Sequence, residues 1–76
     1  MPVPIEEISQ LVGLQLGQHN VTVSDRLVED LNAESADLVN IVATLEEKYG
    51  IHIAEEDIPA IRSVSDLYDL VNAHLR

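Results

Sequence analysis

Ile5, Ile8, Leu11, Val12 and Leu16 recur at the spacing of one helix face. Glu6 and Glu7 occupy the first turn of that pattern, where the helix dipole favours negative charge. Pro2 and Pro4 hold the preceding residues out of a helix or at its start, and Gly17 reads as a stop. These signals predict a first helix over 4–16. Leu38, Ile41, Val42, Leu45 and Tyr49 repeat the pattern more clearly, with Lys48 in the last turn and Gly50 as the stop. They predict a second helix over 35–49. Val64, Leu67, Val71 and Leu75 form a third stripe, opened by Ser63 and Asp66 at capping-box spacing, and predict a helix over 64–75.

The stretches between are less regular. Residues 18–34 hold Val21, Val23, Leu27, Val28 and Leu31 without a helical period. A strand at 20–23 would need a partner, and no second strand is evident. A long loop packing its apolar residues back onto the helices is expected. In 51–62, Pro59 limits any helix, and one short turn over 55–60 fits. The expectation is an all-α fold, a small four-helix bundle of three main helices and one short one, in a single domain over 1–76.

Composition narrows the picture. At 76 residues the core is thin, since folding such a chain buries only about 60% of its unfolded surface. Cysteine is absent, so neither disulfides nor thiolate metal sites contribute. The net charge of −10, from 14 acids and 4 bases, argues against nucleic acid and against anionic membranes as partners. No apolar run approaches the roughly 20 residues of a membrane span, and MPVPIEE has neither a basic region nor an apolar signal core. The expectation is a cytoplasmic protein.

The chemistry concentrates around Ser35, in EDLNAESADL. A calcium loop begun at Asp30 would use Asn32 and Glu34. It would then place Ser35 where a glycine must turn and Ile41 where a bidentate glutamate must bind, and both positions fail. His19, His52 and His74 lie far apart without ligand spacing and are expected at the surface. The G-x-S-x-G elbow of a serine hydrolase is absent, and no histidine is near Ser35 in sequence. An enzyme is not expected. The structural reading of Ser35 is a helix N-cap, assisted by Asp37. That reading leaves the charge distribution unexplained. From Glu29 to Asp57 there are nine acids and one base, Lys48, or −8 of the total −10. Charge gathered around one helix suits a docking surface for partners with basic patches.

The segment LVEDLNAESADLVNIVATLEEKYGIHIAEEDIPAIRSVSDL resembles the acyl carrier proteins. That family shows a V-E-D-L-G lead-in, then D-S-L, a helix ending in L-E-E-x-[FY], an I-x-I-x-x-[DE] segment and a T-V-x-D-like start to the last helix. The order is kept without gaps from Leu27 to the C-terminus, and VGLQLG resembles the end of the family's first helix. The motifs are short, and their joint spacing is highly specific.

The resemblance implies 4'-phosphopantetheine carried covalently on Ser35, with acyl groups held on the arm as thioesters for fatty-acid synthesis or a related pathway. It implies a phosphopantetheinyl transferase and acyl-transfer, elongation or tailoring enzymes as partners, and a monomer. Docking would then fall to Glu34, Ala36, Asp37, Asn40, Glu46, Glu47 and Glu55. Sheltering of the acyl chain would fall to Val42, Leu45, Ile53, Ile58 and Ile61. Three positions depart from the family pattern: Glu34 stands for the Asp and Ala36 for the Leu of D-S-L, and Asn32 stands for the lead-in Gly. The alternative is an unmodified acidic interaction module on a degenerate carrier fold.

Overall fold

A computed structural model describes residues 3–75. Its elements run α1 (Ile5–Leu16), α2 (Ser35–Tyr49), a 3₁₀ helix (Glu55–Ala60) and α3 (Val64–His74). Among the described residues the fold is all-helical, as the apolar periods imply. Helix α1 begins one residue later than expected because Pro4 is its N-cap, with extended backbone. Pro2 lies outside the described residues. Helix α3 ends at His74, and Leu75 follows as its C-cap. Gly17 and Gly50 end α1 and α2 at φ +65° and +64°, the left-handed conformation a Cβ would strain. Asn32 adopts the same region at φ 58°, a conformation open to asparagine.

The three stripes meet in one core. Ile8, Leu27, Ile41, Leu45, Leu67, Val12, Val64 and Val71 are fully buried, and α1 packs against both α2 and α3. Truncating such a side chain to Ala costs about 2–5 kcal/mol through lost burial and the cavity left behind. Polar bonds pin α1 to α2 at the rim. Lys48 Nζ lies 3.2 Å from Glu7, and the Gln15 amide donates to Thr44 Oγ1 at 2.9 Å. Burial, and then the nearby Glu7 carboxylate, push the Tyr49 phenol up to about 12.

The long loop packs back onto the helices through part of its apolar set, as expected. Leu27 and Leu31 are buried, whereas Val23 and Val28 remain exposed. Among the described residues no strand forms at 20–23, and extended pairing is confined to one isolated antiparallel bridge, Arg26 with Ser63. The Leu27 N–H donates to Arg62 O at 2.8 Å, Val64 N–H to Asp25 O at 3.1 Å, and Ser65 N–H to Val23 O at 3.0 Å. The chain entering α3 is therefore held beside the chain approaching α2. Arg26 steadies the loop further, pairing with Asp30 at 3.3 Å and Glu29 at 3.8 Å. The Asp30 carboxyl sits below its ordinary range, mainly because it accepts the Arg26 backbone N–H and then its side chain.

Candidate functional site

Helix α2 starts at Ser35, as the apolar period predicts, but Ser35 is not its cap. The N-cap is Glu34, whose backbone is extended at φ −95°, ψ 169°, and Ser35 is the first helical residue. Asp37, at the third helical position, accepts the Glu34 N–H at 2.8 Å. With the cap role filled one residue earlier, Ser35 is exposed, and its hydroxyl makes no hydrogen bond among the described residues. Its backbone N–H belongs to the unpaired first turn of a helix, the end where an anion is favoured.

Ser63, by contrast, is a true cap. Its Oγ accepts the Asp66 N–H at 3.2 Å, while Asp66 accepts the N–H groups of Ser63 at 3.1 Å and Arg62 at 2.9 Å. That capping box stands as the sequence spacing predicts.

Ser35 opens onto a groove of about 480 Å³. One wall is Leu38 and Val39 of α2, and the other is Ile58, Pro59 and Ile61 of the 3₁₀ helix and its exit. Val28, Glu29 and Arg62 complete its lining. The groove gathers two of the five expected shelter residues, Ile58 and Ile61. Val42, Leu45 and Ile53 are buried core side chains outside its lining. Sequence reasoning missed Leu38, Val39, Val28, Pro59 and Arg62. Val28 and Val39 are 53% and 57% exposed, so neither behaves as the core residue its type suggests. A serine followed three and four residues later by Leu38 and Val39, on the same helix face, was the available signal.

The acids around α2 divide in two. Glu34, Glu47 and Glu55 are exposed, as are Ala36 and Asn40. Asp37 and Glu46 are half-buried and face backbone. Glu46 accepts the Ile53 N–H at 2.8 Å and lies 3.3 Å from His52 Nδ1. The outward face of α2 is consequently Ala36, Val39, Asn40, Ala43 and Glu47, with a single carboxylate. Among the described residues, no group of His, Asp or Glu could hold a metal ion. No helix among them is long and apolar enough to cross a membrane.

The family described as "Phosphopantetheine attachment site" matches residues 6–71. An acyl carrier protein of Chlamydia trachomatis is 35% identical over 71 residues, 91% of this chain and 92% of that one. One from Buchnera aphidicola is 32% identical over 72 residues, 92% of each. Among solved structures, an acyl carrier protein from Thermotoga maritima superposes with a TM-score of 0.79 at 27% identity, covering 93% of this chain and 85% of that one. The oxytetracycline acyl carrier protein shares the fold, with a TM-score of 0.78 at 20% identity over 99% of this chain and 84% of that one.

Proposed function

The chain belongs to the acyl carrier proteins, the phosphopantetheine-bearing carriers, and from that premise we propose that Ser35 bears the arm. The single observation that carries this reading is the free, exposed Ser35 hydroxyl at the first position of α2, with Glu34 taking the cap in its place. The residues fit the group. The hydroxyl is open to an incoming transferase, the first-turn N–H groups favour a phosphodiester, and an apolar groove begins beside it. When bound, the arm supplies the thiol that a cysteine-free chain lacks, and acyl groups ride on it as thioesters.

This chain's own residues then hold and present. The protein is a carrier and not a catalyst. Leu38, Val39, Ile58 and Ile61 offer apolar surface along which the arm and the start of an acyl chain lie. Each methylene sheltered there gains up to about 0.8 kcal/mol. Glu34, Glu47 and Glu55 are exposed and suited to steering basic partner surfaces, while Ala36, Val39 and Asn40 form the contact face between them. Asp37 and Glu46 serve that face indirectly, by fixing the start of α2 and the chain after its end. The partners in this reading are a phosphopantetheinyl transferase and acyl-transfer, elongation or tailoring enzymes of fatty-acid synthesis or a related specialised pathway, in the cytoplasm.

The deciding experiment is intact mass after co-expression with a phosphopantetheinyl transferase. Wild-type chain should gain the mass of the arm, and Ser35→Ala should not. Modification that survives in Ser35→Ala would move the attachment elsewhere. Wild-type chain that stays unmodified would favour the acidic interaction module.

A further inference from the structure

Arg62 stands out in a chain this acidic. Of the four Lys and Arg residues, Arg26 is paired with Glu29 and Asp30, and Lys48 with Glu7, while Arg76 lies outside the described residues. Among the described residues the Arg62 guanidinium has no carboxylate at ion-pair distance, although the chain holds 14 acids. Its nearest acid in sequence, Asp66, is turned to the N–H groups of Arg62 and Ser63. The Arg62 backbone is fixed on both sides, its N–H by Asp66 and its C=O by Leu27 N–H at 2.8 Å. The root of the side chain is rigid, and its charge is uncommitted.

Arg62 lines the groove on which Ser35 opens. Glu29, the other charged residue of the groove, lies 3.8 Å from Arg26. A phosphodiester on Ser35 would place one more anion beside Glu34 and Asp37, in a molecule already at −10. A guanidinium presents a planar fork of donors that matches phosphate oxygens in pairs. We propose that Arg62 is a positioning residue for the arm, its guanidinium pairing with the phosphodiester at Ser35 and directing the arm along the groove. The proposal rests on Ser35 being the attachment point.

The test compares apo and holo forms of wild type, Arg62→Gln and Arg62→Lys, each loaded to completion with excess transferase and checked by intact mass. The readouts are the apo-to-holo change in melting temperature and the ³¹P resonance of the arm. Loading should lower the melting temperature more in Arg62→Gln than in wild type, by about 1–6 °C at low salt, as for one partly exposed ion pair. Molar salt should close that gap. The ³¹P resonance should move in Arg62→Gln, with Arg62→Lys restoring part of both effects. The pairing is overturned if all three proteins load at Ser35 with the same melting change and the same ³¹P shift. An Arg62→Gln protein that loads slowly but shows wild-type values once holo also overturns it, and assigns Arg62 to transferase contact instead. Mass found elsewhere than on Ser35 defeats the attachment reading itself, a failure the mass data separate from that of Arg62.

Discussion

Two helix starts in this molecule use the same chemistry and reach opposite ends. At α3, Ser63 is the cap. Its hydroxyl is consumed by the Asp66 N–H, and Asp66 returns two bonds. At α2, Glu34 is the cap and Asp37 returns one bond, so Ser35 moves one place into the helix and keeps its hydroxyl free. A shift of one residue decides whether a serine stabilises the fold or remains available for chemistry. It follows that stability and modification should respond to different serines.

The sharpest way to break this comparison is to exchange the two losses. Ser35→Ala should abolish phosphopantetheine loading outright while changing stability by less than about 0.5 kcal/mol, as at an exposed helix position. Ser63→Ala should load fully but lose about 1 kcal/mol, or roughly 4–8 °C in melting temperature, through the missing cap. Intact mass and thermal melts on the same samples decide it. A Ser35→Ala protein as destabilised as Ser63→Ala would mean that Ser35 also caps.

The acids provide a graded version. Asp66→Ala removes the acceptor of two backbone N–H groups and should cost about 2 kcal/mol. Asp37→Ala removes the acceptor of one and should cost about 1 kcal/mol. Urea melts should preserve that order. Equal losses would show that the two boxes are energetically alike despite their geometry.

The smallest effect concerns what surrounds the free serine. Glu34→Asp combined with Ala36→Leu restores D-S-L around Ser35. A Leu at this exposed position adds an apolar anchor that Ala36 lacks, so loading by a generic bacterial transferase should rise several-fold, about 1 kcal/mol. No gain would mean that Glu34 and Ala36 do not set partner choice.

The sequence made the helices legible and their junctions less so. Apolar period and the Gly17 and Gly50 stops are local signals, and α2 and the 3₁₀ helix fell where those signals put them. The cap of α2 was misplaced because serine outranks glutamate as a cap by propensity. Here the local bond from the Glu34 N–H to Asp37, three residues on, sets the cap at Glu34. Counting acids along α2 overstated its charged face, since Asp37 turns to the Glu34 N–H, which the box spacing signals, and Glu46 turns to the Ile53 N–H, which no local spacing signals. Val42, Leu45 and Ile53 lie in the bundle interior, where their apolar spacing puts them, whereas exposed Val28 and the cation Arg62 line the groove beside the serine through non-local backbone pairing that no local pattern signals.

That pairing has a consequence in time. The bonds from Leu27, Val64 and Ser65 join stretches on either side of a segment that includes all of α2 and the 3₁₀ helix. Such a contact is rewarded only after the entropy of closing the intervening loop has been met, whereas the helices need only local contacts. The clamp is therefore a late event in folding. Leu27 and Val64 within it are as fully buried as Leu45, so in native-state hydrogen exchange their amides should be released only near global unfolding, as that of Leu45 is.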